Sequence, residues 1–348
     1  MRVGPTLDLA AAPKAELHVH LEGAIQPDTL LILAQRNGIQ LPASDEAGLR
    51  AWFAFRDFDH FLEVYITITK CLRTLEDYEL ITYEFGAEMA RQNVRYAEVT
   101  FTPATHELRF GIPQDIYFSG LSRGRRRAKV DFGVEMRWVF DLVHVARDAS
   151  LNRRAADYTV EVAIDGKDDG VVALGLGGPE VDESFEVMAP WFDRARAAGL
   201  HSTPHAGEVV GPESVWNAIH LLGAERVGHG VRAIEDPALV AYLAEHRIPL
   251  EICPSSNVRL GIFPTINDHP LVRLHEAGVV FTVNSDDPPL FNTTLNDEVQ
   301  LLIDPFGLER AAIEEILLNG VRHSFLPPEE KREMETEFVA ELARLPVA

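Results

Sequence analysis

Two histidines one residue apart, His18 and His20, stand in the segment Glu16-Leu17-His18-Val19-His20-Leu21-Glu22-Gly23. Side chains on an extended strand alternate between its faces, so both imidazoles point the same way. Imidazole is a common zinc or iron ligand, although a lone His-x-His pair is weak evidence for a metal. Three further segments have the same character: Pro204-His205-Ala206-Gly207-Glu208, Val227-Gly228-His229-Gly230 and Val283-Asn284-Ser285-Asp286-Asp287-Pro288. If these are all strand ends at one rim, His18, His20, His205 and Asp286 can hold one divalent cation. A position left open on such an ion makes the site catalytic rather than structural. A two-metal site usually adds a Lys on the fourth strand. The corresponding segment, Leu174-Gly175-Leu176-Gly177-Gly178-Pro179-Glu180, has none, so a single ion is expected. Its bare glycines suggest that a flat ligand comes close to the backbone.

The elements that must position these groups are read from short apolar, β-branched runs. Strands are expected at Lys14–His20, Val94–Thr100, Phe132–Phe140, Val171–Leu176, Leu200–His205, Arg226–His229, Pro249–Cys253 and Val279–Asn284. Between them lie segments with apolar residues at three- and four-residue spacing, such as Ala238–His246 and Leu271–Ala277. Strand and helix alternating throughout predict an α/β fold with parallel strands. Eight such units favour a closed (β/α)₈ barrel, the TIM-barrel architecture, whose active site lies at the C-terminal ends of the strands. A doubly wound open sheet would be favoured by a G-x-G-x-x-G loop after the first strand, and that loop is missing. Residues 1–13 read as an N-terminal tail and 14–348 as one domain, with a helical insertion at about 24–93 and a charged C-terminal helix. The insertion holds an aromatic piece, Trp52 to Phe61, that is either a helical layer on the barrel or a lid over its active face.

The 348 residues carry 32 basic and 54 acidic side chains, a formal net charge of −22. That charge argues against broad phosphate neutralisation and against a polybasic membrane binder, so neither nucleic acid nor membrane is an expected partner. The basic run Arg123 to Lys129 reads as a solvated helix end. No apolar run reaches the roughly 18 residues of a membrane span. The N-terminal segment lacks the charged-then-apolar layout of a secretory signal, and Cys71 and Cys253 cannot build a disulfide scaffold, so a reducing cytoplasm is expected.

The motifs His18-Val-His-Leu-Glu-Gly23, Gly177-Gly-Pro-Glu180, His205-Ala-Gly-Glu208, Gly228-His-Gly230, Cys253-Pro-Ser-Ser-Asn257 and Ser285-Asp-Asp-Pro288 resemble, in this order, those of the adenosine deaminase family of the amidohydrolase superfamily. The resemblance runs over nearly the whole chain. It implies a (β/α)₈ barrel, one zinc ion per chain and hydrolytic loss of the 6-amino group of a purine. It also implies roles. His18, His20, His205 and Asp286 match the zinc ligands, and Glu208 the acid that protonates purine N1. His229 matches the group that orients and deprotonates the attacking water, Asp287 the partner of N7, and Gly178 the backbone donor to N3. Adding a nucleophile to an aromatic carbon needs electron density drawn off the ring, which protonation at N1 provides. Glu208, and Asp287 with it, must then be protonated, which requires raised pKa values. The remaining histidines, His60, His106, His144, His201, His220, His246, His269, His275 and His323, read as surface or packing residues, with His201 a candidate for a place just behind the ligands.

One position departs from the nucleoside-specific pattern. Glu22 stands where those members carry an Asp that touches the sugar 5′ hydroxyl. Adenine deaminases and the 6-amino-6-deoxyfutalosine deaminases resemble the chain better there. Phe58 to Tyr65, Cys71-Leu72-Arg73-Thr74, Gly175 to Glu180 and Asn292 to Leu295 look most like the futalosine branch. That resemblance implies a place in menaquinone biosynthesis. The substrate would carry a 5′ aryl extension with a carboxylate, for which Arg73 is the candidate cation. Adenosine ranks second and adenine third. From a different class, a non-catalytic binding relative would be marked by loss of a ligand or of the acid, and all are present. An amide- or ester-opening amidohydrolase would be marked by two metals.

Overall fold

The computed structural model describes residues 7–56, 58–143, 149–180 and 184–346; Asp57 and His144 lie outside them. The strands are β1 (Lys14–His20), β2 (Val94–Phe101), β3 (Glu135–Leu142), β4 (Val171–Leu176), β5 (His201–Ser202), β6 (His205–Ala206), β7 (Val227–His229), β8 (Leu250–Ile252) and β9 (Phe281–Val283). All pair in parallel, β1 to β5 in one run and β6 to β9 in a second. The fold is a TIM barrel. Its closing seam is a parallel bridge between Val19 and Asp286, where His20 N donates to Asp286 O at 2.9 Å and Asp286 N to His18 O at 3.1 Å. The last motif is thus joined to the first.

Two strand readings are corrected. The expected strand Leu200–His205 is two short pieces, because Pro204 has no N–H to continue the ladder. β5 and β6 together fill the fifth place in the barrel. The expected strand Phe132–Phe140 begins too early. Phe132 ends the helix Gln114–Phe132, and Gly133, at φ 75°, turns the chain before Glu135 starts β3.

The insertion after β1 contains helices Pro27–Arg36, Glu46–Trp52, Phe58–Lys70 and Leu75–Arg91. The last is started by a reciprocal cap between Thr74 and Asp77. The basic run lies within the helix Gln114–Phe132, where Arg125 and Lys129 pair with Glu135, and Arg127 with Glu79. The C-terminal helix Pro328–Leu342 buries Phe338 and Leu342 and leaves its acidic face outside. Among the described residues no helix is long and apolar enough to cross a membrane.

Candidate active site

The alternation of β1 puts His18 and His20 on one face, both buried. His20 Nε2 lies 3.3 Å from His205 Nε2 and 3.4 Å from Asp286 Oδ1, and His18 Nε2 is 3.7 Å from that oxygen. Bonds of about 2.0–2.1 Å in a tetrahedron place neighbouring donor atoms about 3.3–3.4 Å apart, so the four side chains fit a zinc-sized ion. His18 Nε2 has no hydrogen-bond partner among the described residues. Burial holds His18 and His205 well below the ordinary histidine pKa, reinforced by the neighbouring imidazoles, so both offer lone pairs. Burial would raise Asp286, but His229, His18 and His20 outweigh it and keep the carboxylate ionised. His18, His229, Cys253 and Asp286 also lie within ligand reach of one another. That set fits less well, since the Cys253 thiol, held protonated by burial, is turned to Glu251 O.

Ring orientations are set from behind. Glu251 Oε2 accepts from His18 Nδ1 at 2.8 Å, which leaves His18 Nε2 free for an ion. Glu251 in turn accepts from Arg226 Nε at 2.6 Å and Thr203 Oγ1 at 2.8 Å. His229 is oriented by a chain whose direction follows from its first donor. Leu271 N–H donates to His269 Nδ1 at 3.2 Å, so the proton of neutral His269 is on Nε2, which donates to Asn257 Oδ1 at 3.2 Å. Asn257 Nδ2 then donates to His229 Nδ1 at 3.2 Å. In its neutral form His229 therefore carries its hydrogen on Nε2, 3.7 Å from Glu208 Oε1 and 3.9 Å from Asp286 Oδ2. It presents a donor, which corrects the expectation that it takes a proton from water. His229 and Asp286 also hold φ of 57° and 63°, a region non-glycine residues rarely enter and one that clusters at functional sites.

Glu208 is buried, its Oε1 has no partner among the described residues, and burial raises its pKa to about 7. Its loop is held by Glu180, whose Oε1 accepts from Gly207 N at 2.6 Å. Glu180 Oε2 accepts from the backbone N–H groups of Glu208, Val209 and Val210 at 3.2, 2.7 and 2.8 Å. Asp287 is pushed well above the usual carboxylate range by burial and by Asp286, Glu22 and Glu208, and its Oδ1 also lacks a partner. A Cβ on Gly23 would lie 1.5 Å from that oxygen, so the glycine of the first motif makes room for Asp287.

His20, His205, Glu208, His229, Asp286 and Asp287 form the floor of a cavity of about 510 Å³. Gly178 lines it at φ 82°, with open space where a Cβ would stand. The helix Phe58–Lys70 roofs it with Phe58, Phe61, Leu62, Tyr65 and Ile66. Two expected substrate contacts are placed elsewhere. Glu22 does not line the cavity. Its Oε1 accepts from Thr102 N, Thr102 Oγ1 and His106 Nε2 at 3.2, 2.8 and 3.0 Å, so its extra methylene reaches the end of β2 rather than ligand space. Arg73 donates to Phe110 O at 3.3 Å and is also outside the cavity; Arg109 is the arginine on its wall. His201 is not behind the ligands. It pairs with Glu225 and stacks on Phe325 at the start of β5, away from the catalytic rim. His106 and His269, read as packing residues, hold Glu22 and Asn257. The bare glycines of the fourth strand have another cause than a flat ligand. A Cβ on Gly175 or Gly177 would meet the carboxylate of Asp141 at 2.0 or 2.3 Å.

The sequence pattern named adenosine deaminase matches residues 13–341, and the chain belongs to the adenosine deaminase family. The aminodeoxyfutalosine deaminase of Streptomyces coelicolor is 43% identical over 320 residues, 91% of this chain and 81% of that protein. The adenine deaminase of Albidiferax ferrireducens is 38% identical over 93% of this chain and 92% of its own. The crystal structure of a Burkholderia ambifaria amidohydrolase with bound Zn superposes with a TM-score of 0.87 at 28% identity, covering 96% of this chain and 92% of that one.

Proposed function

We propose that the chain removes the 6-amino group of an adenine-containing nucleoside by hydrolysis, releasing ammonia, with 6-amino-6-deoxyfutalosine of menaquinone biosynthesis as its substrate. The observation that carries the reading is the convergence of His18, His20, His205 and Asp286 beside a protonatable Glu208 whose Oε1 has no partner among the described residues. These four residues would hold one zinc ion per chain, which would supply a Lewis acid that makes water nucleophilic at neutral pH.

The protein's own groups do the rest. Glu208, with a pKa of about 7, delivers a proton to purine N1 as the nucleophile adds at C6. Asp287, protonated, donates to N7, and Gly178 N–H to N3. His229 Nε2–H orients the attacking water by donation, and Asp286 Oδ2 is the acceptor for that water's first proton, which passes to the 6-amino nitrogen as the C6–N bond breaks and ammonia leaves, while the remaining C6 hydroxyl proton returns to Glu208. A cavity of about 510 Å³ leaves room beyond a purine for an aryl extension, with Arg109 to meet its carboxylate. Adenosine and adenine are the competing substrates, and a non-catalytic binding role is disfavoured by the complete ligand and acid set. A small-molecule substrate, a single catalytic barrel over residues 14–348 and a cytoplasmic setting complete the reading. Two buried free cysteines and a net charge of −22 support it.

The test is turnover of 6-amino-6-deoxyfutalosine, adenosine and adenine by zinc-loaded protein, with Glu208→Gln as control. Loss of a general acid lowers kcat by about 10²–10⁴-fold. Unchanged metal content with that loss is the expected result; full activity of the variant refutes the acid assignment.

A further inference from the structure

Asp141 ends β3 almost fully buried, yet its Oδ2 has no hydrogen-bond partner among the described residues. A buried carboxylate oxygen without a donor is costly, and native structures seldom leave one so without a reason. The fold keeps the space clear for it by leaving Gly175 and Gly177 without side chains. The nearby His205 Nδ1, also unpartnered, is 3.9 Å from Oδ2, beyond hydrogen-bond range. Asp141 lines the cavity together with Gly178, one residue past Gly177. Burial, with Glu22, Glu251 and Asp286 nearby, pushes Asp141 well above the usual carboxylate range, so its carboxyl can give as well as accept a hydrogen bond, and what Oδ2 lacks is a hydrogen-bonding group from the ligand side.

On the deaminase reading, Gly178 meets purine N3. The ring atom attached to the sugar, N9, is two bonds from N3, so the unpartnered carboxyl oxygen faces the sugar edge of the base. Glu22 Oε1 accepts from Thr102 and His106, and its Oε2, although also without a partner among the described residues, is not on the cavity lining as Asp141 is. We propose that Asp141 is a specificity-determining residue that hydrogen-bonds a ribose 2′ or 3′ hydroxyl, so that the cavity selects an N9-linked nucleoside over the free base. No covalent step is involved. The proposal rests on the deaminase reading but not on the identity of the 5′ substituent.

The experiment measures kcat/KM of the zinc-loaded protein and its Asp141→Ala variant on adenosine, 2′-deoxyadenosine, 3′-deoxyadenosine and adenine, with metal content determined for both. A hydrogen bond between neutral groups lost at the transition state corresponds to roughly a 2–12-fold fall. Expected is a fall of that size on adenosine, an equal fall for one deoxynucleoside with the wild-type protein, and no further fall when that deoxynucleoside meets the variant. Turnover of adenine and metal content stay unchanged. Gly177→Ala, which drives the carboxylate from its seat without removing it, gives the same selective loss and serves if Asp141→Ala does not fold. Three results overturn the proposal: equal losses on adenine and adenosine, losses that add for both deoxynucleosides, or loss of metal. The first means that Asp141 reads the base, for instance through N9–H, and the last that it holds His205. Absence of turnover of any adenine derivative, 6-amino-6-deoxyfutalosine included, overturns the deaminase reading instead.

Discussion

Gly23→Ala perturbs the site through one methyl group. The new Cβ would lie 1.5 Å from Asp287 Oδ1, 2.4 Å from its Cγ and 2.8 Å from its Cβ. Rotating the carboxyl away relieves the first two contacts but not the third. Asp287 cannot retreat as a unit, because its carbonyl accepts from Leu290 N and Phe291 N at 2.9 and 3.0 Å. Overpacking of this kind costs about 1–3 kcal/mol. At about 2.1 cal/mol/K of unfolding entropy per residue, a 348-residue chain has about 0.7 kcal/mol/K, so Tm falls by about 1–4 °C. Activity falls as well. Displacing the Asp287 donor from N7 removes a hydrogen bond between neutral groups of roughly 0.5–1.5 kcal/mol, about 2–12-fold in kcat/KM. Turnover followed by the absorbance change on deamination, a thermal melt and zinc content per chain together make the assay. Asp287→Ala alone shows the same loss of activity, and the double variant is no worse than Asp287→Ala. Full activity in Gly23→Ala, or additive losses in the double variant, refutes the claim that this glycine acts by clearing space for Asp287.

Arg109→Ala lowers kcat/KM on 6-amino-6-deoxyfutalosine by about 10–100-fold through loss of a charged contact and leaves adenosine unaffected. Arg73→Ala, outside the cavity, does not discriminate between the two, and the opposite pattern returns the assignment to Arg73. Glu298 is fully buried, and burial raises its pKa from 4.5 to about 7 despite its bonds with Ser255 and Thr293. The folded state then holds a proton that the unfolded chain releases, so this contribution is intact below pH 4.5 and disappears as pH rises through 7. At 1.36 kcal/mol per pKa unit it amounts to about 3 kcal/mol. Denaturant melts from pH 4.5 to 8 show it as a gap between wild type and Glu298→Gln that changes with pH; parallel curves count against it.

What was legible in the chain follows from its periodicities. His18 and His20 share a face because strand alternation is local, and the barrel then carries His205, His229 and Asp286 to the same rim. Glu251 gave no signal, because a single acid between Leu250 and Ile252 is compatible with either face of a short strand until the barrel makes one face its interior. Asp141 was hidden for the same reason. The glycines at 175 and 177 did mark a close approach, but what approaches comes from β3, thirty-odd residues earlier in the chain. Arg73 was misplaced because it lies just before the Thr74 cap, and the orientation of the following helix turns its guanidinium toward Phe110.

The orienting network has a further consequence for how this rim works. Two imidazoles that look alike in sequence are fixed in opposite senses by what stands behind them. Behind His18 is a carboxylate, an acceptor, so the hydrogen stays on Nδ1 and Nε2 becomes a lone pair facing the ligand cluster. Behind His229 is an amide N–H, a donor, so Nδ1 is the lone pair and Nε2 carries hydrogen toward Glu208 and the reacting centre. One ring is thus prepared to bind a cation and the other to donate to an anion or a water oxygen. The difference lies in Glu251 and in the Asn257–His269 pair, none of which lines the cavity. Exchanging the character of either support, rather than the histidine it holds, is therefore the change that confuses the ligand role with the donor role.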